Sequence, residues 1–140
     1  MKKEILFIAG IHGSGKSTLC LNLKKTLNTP HYSASELIKM TKTNPFTNEK
    51  RTKDIGKNQD ALILALENIT DTSRLILDGH FCLFDKKKNI SRIPLSTFEN
   101  ISPKAIIVLH DEIERILDLI KLRDGVEHDI NTFSLLQESE

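Results

Sequence analysis

Chemistry is easiest to read in the stretch Gly10-Ile11-His12-Gly13-Ser14-Gly15-Lys16-Ser17. It fits G-x-x-x-x-G-K-[ST], the P-loop spacing that cradles phosphates. The glycines let the backbone come close to an anion with no Cβ in the way. Successive N–H groups then form an anion-binding concavity, and a helix opening near Gly15 turns its positive end toward it. Lys16 is expected to reach the β and γ phosphates of a nucleoside triphosphate, and Ser17 to offer its hydroxyl to Mg²⁺, a hard cation that prefers oxygen. Gly10, Gly13, Ser14, Gly15 and Thr18 complete the expected phosphate shell. His12 either touches a phosphate or fills a tolerated variable position. The bland alternative is a Gly-rich turn that binds nothing. The flanking pattern favours binding: the apolar run Ile5-Leu6-Phe7-Ile8-Ala9 precedes the motif, and Leu19, Leu23 and Leu27 follow at helical spacing.

A second candidate is Asp78, which ends the apolar run Leu75-Ile76-Leu77 just before Gly79-His80. In an open α/β sheet, ligands bind at the carboxyl ends of strands. Asp78 would then share a rim with the loop and hold Mg²⁺ through a water, or orient a substrate hydroxyl. An Asp capping the turn before Gly79 is the structural alternative. His80 is either a base or a hydrogen-bonded structural group.

The elements that must place these residues follow from periodicity. Strands are expected over 4–9, 74–78 and 105–109, whose continuous apolar runs suit burial in a parallel sheet, and a short one over His31-Tyr32-Ser33. Helical spacing covers 15–27, stopped by Asn28-Thr29-Pro30, and 58–70, with Leu62, Leu66 and Ile69 on one face. It also covers a short segment at 96–101 and a helix from an Asp111 cap to about Leu122, with Ile113, Ile116, Leu117 and Ile120 inward. Ser35 is expected to cap a short helix over 36–40, and a last helix is expected over 131–138. Residues 41–57 and 84–94 read as polar excursions, with Lys86-Lys87-Lys88 a solvated turn. Strand and helix alternate throughout, so the fold class is α/β: βαβ units, right-handed crossovers and helices on both faces.

Bulk properties narrow the field. The 140 residues suffice for one domain with a real core, and no linker divides them. A net charge of +1 makes neither nucleic acid nor membrane the expected partner. No apolar run approaches the roughly 18 residues of a membrane span, and the short one after Met1-Lys2-Lys3-Glu4 leads into the loop, not into a cleavage site. Cys20 and Cys82 read as small buried hydrophobes of a reducing compartment, so a cytoplasmic location is expected.

Taken whole, the chain resembles the adenylate-kinase-like branch of P-loop kinases. Tyr32-Ser33-Ala34-Ser35-Glu36-Leu37-Ile38-Lys39 is similar to their acceptor-site segment, and Leu75-Ile76-Leu77-Asp78-Gly79-His80-Phe81 to their Leu-Asp-Gly-Phe-Pro-Arg segment. The phrases G-x-H-G-S-G-K-[ST], SASELI, LDGHF and RDG also resemble small bacterial ATP-binding proteins often labelled AAA-family ATPases. The resemblance implies a three-layer P-loop NTPase fold with strand order 2-3-1-4 and a fifth strand. It also implies ATP with Mg²⁺ in the loop, and an acceptor near Ser35 and Lys39 beneath the 41–57 segment. A reduced lid near 123–131 would bring Arg123 over the phosphates, with Arg115 a second candidate or a surface ion pair. The chain departs from the pattern where Lys39 replaces an Arg and where Phe81-Cys82 replaces Pro-Arg, which argues against AMP as acceptor. The fifth strand and its adenine-holding loop are expected to be missing. The nucleotide would then be held by its phosphates, and an exposed sheet edge would offer a second copy a place to pair.

Three functions follow. One is phosphoryl transfer from ATP to a nucleotide or other small-molecule acceptor, with Lys16, Asp78 and Arg123 as the catalytic set. Another is an ATP-binding switch or slow NTPase that orders 41–57 to control a partner. The third is an inactive, truncated remnant.

Overall fold

The computed structural model describes residues 3–11, 13–43, 55–84, 89–125 and Gln137. Its centre is β1 (Glu4–Ala9), which pairs in parallel with β3 (Arg74–Gly79) on one side and β6 (Ala105–Val108) on the other. The short β2 (His31–Ser33) adds to the far side of β3, giving the order β2-β3-β1-β6. For the four strands anticipated from the sequence this is the order 2-3-1-4. Each parallel step needs a crossover, and helices supply them. They are α1 (Lys16–Leu27), α2 (Ala34–Thr43), α3 (Ile55–Asn68) and α4 (Leu95–Ile101); a further helix, α5 (Ile113–Asp124), follows β6.

Strand period two sorts the core into two layers. Ile5, Phe7 and Ala9 of β1 and Leu75 and Leu77 of β3 pack with Leu37, Leu62, Leu66 and Ile101 of α2, α3 and α4. The alternate residues Ile8 and Ile76 pack on the other face with Cys20 of α1, beside Leu6, Leu19 and Leu23. Burial on both faces explains why these strands read as unbroken apolar runs. Each fully buried Ile or Leu of this kind contributes about 1.5–3 kcal/mol relative to exposure. A third cluster joins Ile11, Cys82, Ile116 and Ile120, so α5 is seated against the residues that lead into the loop.

Several sequence expectations need correction. The stretch 84–94 is not only a polar excursion: β5 (Ile90–Arg92) lies within it and pairs antiparallel with β4 (Cys82–Phe84), which leads into it. Ser35 does not cap a helix, because α2 already begins at Ala34; the Ser35 hydroxyl bonds that of Ser33 at 2.9 Å instead. Asp111 is not the cap of α5 either. Glu112 holds that position, and Asp111 Oδ1 accepts the Glu112 N–H at 2.8 Å. α3 starts earlier than expected, at Ile55. Leu27 leaves the buried face of α1 for solvent, at the helix's last turn before Asn28 ends it with φ 48°. β6 is exposed along its whole length, and among the described residues it pairs only with β1. Of the 41–57 segment, residues 44–54 lie outside the described residues. So do most of the anticipated lid and of the helix at 131–138. From that helix Gln137 reaches back, accepting the Asp111 N–H at 3.2 Å and donating to the Asp111 carbonyl at 2.7 Å.

Candidate functional site

β1 ends at Ala9 and α1 begins at Lys16, so the loop between them lies at the carboxyl edge of the sheet. Gly13 and Gly15 take positive φ, 84° and 94°, the left-handed region where a side chain is strained. They differ in surroundings. A Cβ on Gly15 would meet nothing within 4 Å, whereas one on Gly13 would lie 2.9 Å from Ile116 Cγ2. Gly15 therefore faces open space while Gly13 is pressed on α5. The turn is closed by the Ser14 N–H donating to the Ile11 carbonyl at 3.1 Å. Ser14 Oγ is buried and has no hydrogen-bond partner in the loop.

Above the loop lies a cleft of about 560 Å³, lined by Gly13, Gly15, Lys16, Ser17, Thr18, Ser35, Asp78, His80, Leu119 and Arg123. Residues from four elements thus converge on one cleft. Arg123 comes from the last turn of α5, four residues after Leu119, so both lie on the helix face beside the buried Ile116–Ile120 stripe.

Asp78 is the hub. Its Oδ2 accepts a hydrogen bond from His31 Nε2, and its Oδ1 is 3.8 Å from Lys16 Nζ. His31 and Ser33 of β2 share a face, and Ser33 pairs with Asp78, so the His31 ring reaches it diagonally across the two strands. Lys16 Nζ also donates to the Gly79 carbonyl at 3.3 Å and lies 3.2 Å from His80 Nε2, where the ring nitrogen accepts. The ammonium thus leans on the end of β3, at the edge of the cleft.

Cys20 Sγ, a His31 nitrogen and an Asp78 oxygen lie within 4.8 Å of one another, a spacing that a metal ion can bridge. The chemistry fits poorly. Burial, and then the nearby Asp78 carboxylate, push the Cys20 thiol up to about 11, so it carries its proton at neutral pH. These three residues are better described as a packed group that fixes the Asp78 carboxylate. The Ser17 hydroxyl and the Asp78 carboxylate, oxygen donors of the kind hard cations prefer, both line the cleft.

Most sequence-anticipated residues meet here. Gly13, Gly15, Lys16, Ser17, Thr18, Ser35, Asp78 and Arg123 line one cleft, with Gly10 and Ser14 in the loop beneath. His12 lies outside the described residues. Lys39 is exposed on α2 and lines no part of the cleft. Arg115 pairs with Asp111 at 3.4 Å on the surface, the ion-pair alternative anticipated for it. His31 was missed by sequence reasoning. The signal was its place two residues before Ser33 in a strand neighbouring Asp78.

The profile of the AAA domain family matches residues 9–134. The chain belongs to that family, within the P-loop NTPase and kinase superfamily. No curated protein sequence matches it. Among solved structures, a gluconokinase from Sinorhizobium meliloti is similar at TM-score 0.53 and 15% identity, over 98% of this chain and 74% of that one. A tunicamycin resistance protein from Deinococcus radiodurans is similar at TM-score 0.59 and 17% identity, over 98% and 79%. A protein from Eubacterium ventriosum is similar at TM-score 0.56 and 14% identity, over 98% and 71%. At such identities the likeness is one of fold. Family and fold together make the chain a P-loop kinase-like, ATP-binding protein.

Proposed function

We propose that the protein transfers the γ-phosphoryl group of ATP to a small-molecule acceptor, with an adenylate-kinase-like division of labour. The observation that carries this reading is the convergence of Lys16, Ser17, Asp78 and Arg123 on one cleft above the loop. Lys16 and the loop amides hold the β and γ phosphates. The acceptor's hydroxyl oxygen bonds to the γ-phosphorus as the bond from that phosphorus to the bridging oxygen breaks, and ADP leaves with the electron pair. The hydroxyl proton passes to the Asp78 carboxylate and then to water. Arg123 offsets charge on the moving group. This is catalysis by positioning and electrostatics. Ser17 and Asp78, the latter through a water, would hold Mg²⁺, which supplies charge neutralisation across the β and γ oxygens when bound. Two buried free cysteines accord with a reducing, cytoplasmic setting. No helix among the described residues is long and apolar enough to cross a membrane. The open β6 edge is our candidate for pairing with a second copy.

Calorimetric titration with Mg·ATP tests the loop. Hydrogen bonds to charged groups are worth about 1.5–3 kcal/mol, so Lys16→Ala is expected to weaken binding by about 10- to 150-fold. Equal affinity in the two proteins would remove the loop from the reading. ADP release that depends on an added acceptor supports transfer. Release indifferent to every acceptor supports an NTPase switch, and binding with no release an inactive remnant.

A further inference from the structure

Beside the phosphate cleft lies a second, smaller cavity of about 100 Å³. The two share Ser35, Asp78 and His80, so they abut at the carboxylate that would receive the acceptor's proton. The walls of the smaller cavity are mostly apolar, with Phe7, Ile38, Leu62, Ile93 and Phe98 prominent. The Phe7 and Phe98 rings meet edge to face with centroids 5.5 Å apart, which fixes an aromatic side to the pocket. Its polar side chains away from the shared rim are few: Ser33 and the buried Gln59 and Thr97. Among the described residues, no lysine or arginine lines it.

Resting on the phosphotransferase reading above, we infer that the acceptor is an uncharged, mainly apolar alcohol or phenol whose one small ring or branched chain enters this pocket. Three observations select that class. A phosphorylated acceptor would bring a dianion against apolar walls that hold no cation among the described residues, and an unpaired buried charge is costly. A polyol would leave most of its hydroxyls unpaired there. Size points the same way: an apolar cavity of roughly 150 Å³ holds a single benzene ring, so a pocket of about 100 Å³ suits one small ring better than a base and ribose together. The hydroxyl is left at the opening, beside Asp78 and the phosphate cleft. Its oxygen attacks the γ-phosphorus, the bond to the β,γ-bridging oxygen breaks, ADP departs with that electron pair, and the proton goes to Asp78. The products are a phosphate monoester and ADP.

The test is ADP release by the full chain with Mg·ATP, using benzyl alcohol and cyclohexanol against AMP, CMP and gluconate. The two ring alcohols are expected to raise ADP release at least about tenfold, as positioned acceptors do, and to yield the phosphate monoester by mass. Ile38→Phe, which fills the pocket, is expected to raise half-saturating benzyl alcohol about tenfold, near 1.4 kcal/mol. Ile93→Ala, which enlarges it, should shift preference toward a bulkier ring. Calorimetric ATP affinity reports in each variant that the loop is folded. Release raised by AMP, CMP or gluconate but by neither ring alcohol overturns this inference and leaves phosphoryl transfer standing. ATP binding with no acceptor dependence at all overturns both.

Discussion

Asp78 shows how much a single side chain depends on its neighbours. His31 bonds one carboxylate oxygen, Lys16 lies near the other, and the Cys20 thiol is packed alongside. The thiol reports on that packing. Its value rises from 9.0 to about 11, first through burial and then through Asp78, with Lys16 pulling the other way. The folded protein therefore keeps this proton over a range where the unfolded chain has released it. Below about pH 9 both states hold it and stability is unaffected. Above that, the folded state loses stability until the pH passes about 11. Urea unfolding between about pH 8 and about pH 10.5 should show roughly 2 kcal/mol more loss in the wild type than in Cys20→Ala. Matching losses in the two proteins would mean the thiol is not in this environment. The residue scale also marks what a sequence can show. The loop and Asp78 are legible because their chemistry is spelled by adjacent residues. His31 is not, because its partner is 47 positions away and only the pairing of β2 with β3 joins them.

The loop is an element that needs another element behind it. α5 supplies the wall, with Ile116 and Ile120 fully buried where Gly13 rests. Gly13→Ala would meet two costs: left-handed strain of about 1–2 kcal/mol and overpacking of about 1–3 kcal/mol. A destabilisation of about 2–5 kcal/mol is expected in denaturant unfolding. Gly15→Ala, with the same backbone hand and open space around it, should cost only the strain, about 1–2 kcal/mol. If the two substitutions cost the same, α5 does not brace the loop. The apolar face of α5 was readable from its spacing, because a three-turn helix repeats its pattern often enough to be seen. The three-residue strands β4 and β5 repeat nothing, so a polar excursion was the natural reading of part of that region. That α5 presses on Gly13 is a contact between distant segments, which no local pattern encodes.

At the scale of the whole molecule, the sheet is asymmetric. β1 and β3 are covered on both faces and paired on both edges, while among the described residues β6 has β1 on one side only. Alternation of strand and helix made the parallel sheet legible, and its order followed from the family resemblance; the bare edge is its consequence. Ile106, Ile107 and Val108 are 48%, 37% and 39% exposed. Such an edge carries a row of unpaired N–H and C=O groups beside apolar side chains, and it favours pairing with another strand. Ile107→Lys adds a charge that must be desolvated if two such edges meet, the device natural edge strands use against pairing. Sedimentation equilibrium of the wild type is therefore expected to show concentration-dependent self-association, with the Lys variant weaker by about tenfold or more. A wild type that stays monomeric throughout, or a variant that associates equally, would assign this edge no role in assembly. The phosphate cleft lies at the carboxyl ends of the strands, clear of the flank of β6. Association through that edge should therefore leave ATP affinity unchanged when the two proteins are compared at equal concentration.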